Sequence, residues 1–143
     1  MRISIMSQLG ETSDLAYRLQ EEGHDVVLNI YTKGEANVGS GLVSVRANKI
    51  LDMKADLIIN DDVFFGQVSD KLRKAGKIVL GGSEITDRLE NDRAFGAHVM
   101  KACGIKIPES TTFSNFKSAI TFLEQTRNSY VFKPHGQEDR FLR

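Results

Sequence analysis

The chain of 143 residues carries 19 basic and 19 acidic side chains, so its formal net charge is zero, and 41% of its residues are hydrophobic. This length suits one compact domain, or one domain and part of another, and is too short for a complete two-domain enzyme. Balanced charge creates no large field of one sign, so we expect small molecules or proteins as partners and neither nucleic acid nor an anionic membrane.

Cysteine content and hydropathy place further bounds on the class of protein. Cys103 is the single cysteine, so no internal disulfide can form. The start of the chain lacks the long apolar segment of a signal peptide, and no apolar run approaches the roughly 20 residues that cross a bilayer. The sequence therefore predicts a cytoplasmic protein without a membrane span.

The first third of the chain reads as two strands around a helix. Residues 2–6 alternate in hydropathy as a strand does, and Thr12 or Ser13 can cap the helix that follows. Gly23 then suits the position just after a helix end. The run Asp25–Ile30 is almost continuously apolar, which is typical of a parallel strand covered on both faces.

The middle of the chain continues the alternation of strands and helices. Residues 31–41 are rich in Gly, Asn and Ser and predict a surface loop, because no Gly-Lys-Ser/Thr motif supports a phosphate-binding loop. Residues 43–53 fit either a short strand or a helix. A strand at 55–60, a helix at 64–75 and a strand at 77–80 follow, so the sequence predicts an α/β fold with a Rossmann-like, doubly wound parallel sheet.

The last part of the chain predicts a different module. A long helical period follows Gly82 and stops at Gly104 and Pro108. Beyond it we expect a short extended piece at 111–113, a helix capped by Ser114 or Asn115, and a strand at 130–133. We therefore divide the chain into a Rossmann-like domain (1–90), a linker helix and hinge (91–108) and an incomplete second domain (109–143).

The segment from Ile78 to Lys133 resembles the start of an ATP-grasp ligase, and most closely the phosphoribosylamine-glycine ligases (glycinamide ribonucleotide synthetases) of purine biosynthesis. The resemblance before Ile78 is only topological. The residues that carry it are, in order, Val79-Leu80-Gly81-Gly82-Ser83, Leu89-Glu90, Asp92-Arg93-Ala94-Phe95, Met100-Lys101, Gly104-Ile105, Pro108, Phe113 and Val131-Phe132-Lys133.

The resemblance implies a fold, a reaction and two nucleotide contacts. The fold is a Rossmann-like pre-ATP-grasp domain followed by a truncated α+β ATP-grasp subdomain. The reaction is ATP- and Mg²⁺-dependent formation of an acyl phosphate on glycine, followed by attack of phosphoribosylamine. Arg93 stands where a basic residue contacts the nucleotide, and Lys133 where a lysine contacts the ATP phosphates. A guanidinium fork and a strand-end ammonium both suit phosphate oxygens.

The sequence departs from the family on the substrate side and at its end. Ser7-Gln8-Leu9-Gly10-Glu11 replaces a glycine-rich turn after the first strand, and Asn60-Asp61-Asp62 replaces Gly-Pro-Glu after the third, which leaves the acceptor substrate open. The phosphate loop, the adenine-binding segment and the magnesium ligands have no counterpart before Arg143. We expect the chain alone to be inactive, to bind ATP and Mg²⁺ weakly if at all, and to self-associate weakly through uncovered apolar surface.

Ligands of doubly wound sheets bind beyond the carboxyl ends of the strands. The residues predicted there to bind substrate are Gly10, Glu11, Asp61, Asp62, Gly81 and Gly82. No residue is assigned a catalytic role, and His24, His98 and His135 are too scattered for a metal site.

A non-catalytic α/β module, receiver-like or a ligand sensor, is the alternative interpretation. Asp61 or Asp62 could accept phosphate if Lys133 ended the fifth strand, as in receiver domains. Against this, Ser7-Gln8 offers no acidic pair for magnesium, and the roughly fifty residues before Lys133 exceed a simple crossover of about a dozen.

Overall fold

The computed structural model describes residues 1–35, 37–47 and 54–133. The chain forms two compact units, whose boundary lies between Glu90 and Asn91. Each unit is described by itself below. Within the described residues, no helix is long and apolar enough to span a membrane.

The first unit is built on a five-stranded sheet in which every strand pair is parallel. The strands are β1 (Arg2–Ser7), β2 (Asp25–Ile30), β3 (Ser44–Ala47), β4 (Leu57–Asn60) and β5 (Val79–Leu80). Their order across the sheet is β3-β2-β1-β4-β5. This confirms the predicted α/β class and resolves the ambiguous segment 43–53, since it contains β3; residues 48–53 lie outside the described part of the chain.

The strand order also decides against the receiver-like alternative. With strands numbered along the chain, 3-2-1-4-5 is the order of dinucleotide-binding Rossmann sheets, whereas receiver domains follow 2-1-3-4-5. The fifth strand ends at Leu80 and is followed by Gly81, so Lys133 does not end it. The receiver interpretation of Asp61, Asp62 and Lys133 is therefore wrong.

In the described part of the first unit, two α-helices and a short 3₁₀ helix connect strands, and a third α-helix follows β5. They are α1 (Ser13–Glu21), a 3₁₀ helix (Lys33–Glu35), α2 (Gly66–Lys74) and α3 (Glu84–Asn91). Gly23 and Gly76, which follow the C-terminal ends of α1 and α2, both take positive φ, as the sequence predicts for residues just after a helix.

Two apolar clusters hold the sheet, one on each face. The first joins Ala16 of α1 to Ile5, Leu28 and other strand residues. The second joins Leu72 of α2 and the preceding Phe65 to strand residues of the other face. β2 is buried on both faces and reads in the sequence as a nearly continuous apolar run, whereas β1 is equally buried although Ile3 and Ile5 alternate with serine.

Between residues 91 and 133 the second unit contains two helices, α4 (Arg93–Ala102) and α5 (Phe116–Glu124). The single long helix expected after Gly82 is wrong, because Asp92 separates α3 from α4. Asp92 has extended backbone geometry (φ −106°, ψ 92°), and its carboxylate accepts the Phe95 N–H at 2.9 Å as an N-cap. Asn115 caps α5 in the same way, as predicted.

The strand predicted at residues 130–133 is not formed, whereas residues 111–113, predicted as a short extended piece, lie outside any helix or strand. Among the described residues of the second unit there is no neighbouring strand with which residues 130–133 could pair. Tyr130 instead packs on Phe122, which packs on Phe113, each pair with ring centroids 5.3 Å apart. Tyr130 and Phe132 therefore contact aromatic side chains of α5 and do not pair in a sheet. Residues 134–143, including His135, lie outside the described part.

Candidate functional site

The carboxyl ends of β1, β4 and β5 bring together the turns at which the sequence analysis placed the substrate. A shallow open cleft of about 310 Å³ lies at this edge. It is lined by Asn60, Asp61, Asp62, Val63, Gly82, Thr86, Asp87 and Glu90. Four of these eight side chains are carboxylates, so the cleft presents negative charge to any ligand.

Asp61 is the most perturbed carboxyl at the cleft. The Thr12 hydroxyl donates to its Oδ2 at 2.6 Å, while its Oδ1 is buried without a hydrogen-bond partner. Burial raises the pKa of Asp61, and the Thr12 and Ser7 hydroxyls partly offset this, while the charge of Glu11 adds to it. Asp61 therefore offers one free acceptor oxygen and takes up a proton more readily than an exposed aspartate.

Thr12 shows how the fold uses a predicted cap for another purpose. It occupies the N-cap position of α1 but makes no side-chain capping bond. Its hydroxyl instead bridges 49 residues along the chain to Asp61. This contact ties the turn after β1 to the turn after β4, and Thr12 is a site residue that the sequence analysis missed.

The turn between β1 and α1 is held by its own polar groups. Glu11 Oε2 accepts from the Ser7 hydroxyl and from the Leu9 N–H, both at 3.2 Å, and the Gly10 N–H donates to Ser7 Oγ at 2.8 Å. Gly10 has φ +85°, and a Cβ there would lie 2.8 Å from Val38 Cγ1. Only glycine fits this conformation and packing, so the fold requires Gly10 whether or not this residue contacts a substrate.

The turn after β4 is anchored through a buried amide. Asn60 Nδ2 donates to Ser69 Oγ of α2 at 2.8 Å, and Asn60 Oδ1 accepts the Asp62 N–H at 3.2 Å. Two residues further on, Phe64 takes φ +80°, a conformation that is strained for a bulky side chain. Phe64 directly follows Val63, which lines the cleft.

The turn between β5 and α3 forms the opposite wall of the cleft. Gly81 approaches β4 so closely that a Cβ would lie 2.6 Å from the Asn60 carbonyl oxygen. Asp87 Oδ2 accepts the Gly66 N–H at the start of α2 at 2.8 Å. The two walls are therefore tied to each other through α2.

Arg73 of α2 binds the same turn from the other side. Its Nη1 donates to Asp70 Oδ1 and to the Gly82 carbonyl, both at 3.0 Å, and its Nη2 donates to the Gly81 carbonyl at 2.7 Å and the Val79 carbonyl at 3.3 Å. The other oxygen of Asp70 accepts the Glu84 N–H at 2.9 Å. In the sequence Asp70 and Arg73 look like an ordinary surface ion pair, so nothing there marked them.

The structure gathers all six residues predicted to bind substrate at one edge of the first unit. Three of them, Asp61, Asp62 and Gly82, line the cleft, and Gly10, Glu11 and Gly81 shape the turns behind it. The two predicted nucleotide contacts lie in the second unit. Arg93 is the first residue of α4, and Lys133 is exposed and outside any helix or strand. Their role toward a nucleotide stays a prediction.

Comparison with known proteins supports the fold. One similar solved structure is the crystal structure of N5-carboxyaminoimidazole ribonucleotide synthetase from Thermotoga maritima, with a TM-score of 0.60 and 19% sequence identity. The match covers 85% of this chain and 36% of that chain, so this chain spans about a third of the synthetase. Scans against protein-family models and curated sequences find no match. The chain thus shares the fold of the matching part of that synthetase.

Proposed function

We propose that this chain supplies the substrate-side unit of an ATP-dependent carbon-nitrogen ligase that acts on a small ribonucleotide or its amine precursor. The observation that carries the proposal is the cleft at the carboxyl edge of a Rossmann-ordered sheet, in a fold shared with a ribonucleotide synthetase. In doubly wound sheets this edge is where ligands bind.

The negative charge of the cleft favours the amine end of such a substrate over its phosphate end. Asp61 and Asp62 on one wall and Asp87 and Glu90 on the other repel a phosphate and attract an amine or hydroxyl groups. Asp61 and Asp62 are partly exposed at the cleft, so their carboxylates can accept hydrogen bonds from an amine N–H. In this proposal the amine that is to be acylated lies at the cleft, and the phosphate lies away from it.

Two different amine substrates are consistent with the proposed ligase activity. The sequence resemblance favours acyl phosphate formation on glycine and attack by phosphoribosylamine. The synthetase in the structural comparison is named for a carboxylated aminoimidazole ribonucleotide. Both reactions involve an amine on a ribose phosphate, so the acidic cleft fits either one.

The nucleotide side of the reaction is assigned by resemblance to the second unit. Arg93 and Lys133 carry the groups that suit ATP phosphates, a planar fork and a point charge. Among the residues that the structure describes, no group of three or more His, Cys, Asp and Glu side chains could hold a metal ion. We therefore assign no residue of this chain to Mg²⁺, and we expect the chain alone to lack ligase activity.

Calorimetric titration with 5-aminoimidazole ribonucleotide, the amine substrate in one form of the proposal, and with glycinamide ribonucleotide, the acylated product in the other, tests the proposal and separates its two forms. We expect one of the two to bind and Asp61→Ala to weaken its binding, with Asp14→Ala on the exposed first turn of α1 as the matched control. Absence of binding to both, by this chain and by a longer form supplied with ATP and Mg²⁺, would contradict the proposal and favour a non-catalytic binding module.

A further inference from the structure

We propose that Arg73 is the positioning residue of the cleft: its guanidinium fixes the turn between β5 and α3 in the conformation that forms one wall. The residue touches no ligand in this role. The proposal rests on the proposed function for what the cleft binds, while its structural part stands independently.

The edge of the sheet gives the turn after β5 little support from strand pairing. β5 is the outermost strand and consists of only two residues. Ile58 pairs with Val79, and the Ile58 N–H donates to the Ile78 carbonyl, so the polar backbone groups of Val79 face away from β4. Two residues of pairing cannot by themselves hold the turn that follows.

Arg73 supplies the hydrogen bonds that strand pairing does not. The Arg73 guanidinium donates to the carbonyls of Val79, Gly81 and Gly82, which are the acceptors of the strand end and of the turn. Because the guanidinium is planar and rigid, three carbonyls bound to it are fixed relative to one another. Gly82 itself lines the cleft.

Asp70 holds the guanidinium of Arg73 in place. Asp70 accepts from Arg73 with one oxygen and from the Glu84 N–H, the first residue of α3, with the other. The Glu84 N–H bond and the Arg73 pair together keep the pKa of Asp70 below its usual value, so the carboxylate stays charged. The pair therefore joins the end of β5, the turn and the start of α3 in one network.

The number and geometry of these hydrogen bonds distinguish Arg73 from an ordinary charged residue on α2. A lysine at this position would keep the charge but offers a single flexible point, which cannot bind three carbonyls and a carboxylate at once. Lys74 is the matched control, because it is the next residue on the same helix, is exposed and carries the same charge.

Amide hydrogen exchange and ligand titration on the intact chain test the proposal. Arg73→Gln and Arg73→Lys should both speed exchange of the Ser83, Glu84 and Asp87 amides, roughly tenfold to a hundredfold, while amides of β1 and β2 stay protected. Lys74→Gln should leave all of them unchanged. Whichever of 5-aminoimidazole ribonucleotide and glycinamide ribonucleotide the unsubstituted chain binds should bind more weakly to both Arg73 variants and equally well to the control.

Each result decides between the alternatives. Exchange that speeds equally throughout the first unit would make Arg73 a general stabiliser, and full rescue by Arg73→Lys would show that charge alone matters; either overturns the proposal. If the unsubstituted chain binds neither ribonucleotide, the proposed function fails, but the exchange comparison still decides whether Arg73 positions the turn. Asp70→Asn, which leaves Arg73 in place, should reproduce the local effect if Arg73→Gln does not fold.

Discussion

Gly66 offers the sharpest test of how closely the two walls of the cleft are packed. It is the first residue of α2, and a Cβ at this position would lie 2.2 Å from the Ser83 carbonyl oxygen and 2.6 Å from the Glu84 nitrogen. Both atoms belong to the backbone, which cannot turn aside as a flexible side chain can. Gly66→Ala must therefore push the turn after β5 away from α2.

The size of this effect follows from two opposing contributions. Overpacking a tight site costs about 1–3 kcal/mol. Alanine is a better helix former than glycine, by roughly 0.5–1 kcal/mol at an interior position and less at the first residue of a helix. The clash is the larger contribution, so we expect net destabilisation of about 1–2 kcal/mol. For a unit of this size the midpoint of thermal unfolding should fall by roughly 4–15 °C.

Thermal unfolding followed by circular dichroism measures this change. Gly34→Ala is the matched control, since nothing lies within 4 Å of a Cβ built there and its φ is not positive, and it should leave the midpoint nearly unchanged. An unchanged or higher midpoint for Gly66→Ala would refute the close approach of α2 to Ser83.

Three further predictions concern protonation, a buried amide and self-association. Burial raises the pKa of Asp61 in the folded state, so protonated Asp61 contributes stability that is fully present below the ordinary pKa of 3.8 and is lost as pH rises through the folded pKa. Asp61→Asn should therefore raise the midpoint of thermal unfolding more at pH 7 than at pH 3.5. An equal change at both pH values would contradict the raised pKa of Asp61. Ser69→Ala leaves the buried Asn60 amide without its acceptor and should cost about 1–3 kcal/mol in urea unfolding, whereas Ser83→Ala on the partly exposed turn should cost less. Ile78 and Leu80 are 68% and 62% exposed, so weak self-association is expected in sedimentation equilibrium, and a mass that does not rise with concentration would argue against it.

The sequence predicted the sheet well because its strands are buried on both faces. β2 and β4 appear as apolar runs and β1 as an alternating segment, and the parallel arrangement follows from the helices between them. The same reasoning placed Asp61 and Asp62 at the edge where the cleft lies, because carboxyl ends of parallel strands share one edge.

Other features depend on contacts that a sequence pattern does not contain. Asp92 was a recognisable capping residue, but its position inside a long helical period hid the break between α3 and α4. Residues 130–133 have the composition of a strand and still form none, because pairing requires a neighbour. Arg73 and Thr12 act on residues that are distant in the sequence or in another element, so only the structure connects them to the cleft.

Amide chemical-shift mapping during titration with 5-aminoimidazole ribonucleotide and glycinamide ribonucleotide would test most directly where this protein binds its substrate. We predict saturable shifts at Asp61, Asp62 and Gly82 with at least one of them. Shifts confined to Gly23 and Gly76, at the opposite ends of α1 and α2, or the absence of saturable shifts with either compound, would contradict the assignment of the cleft.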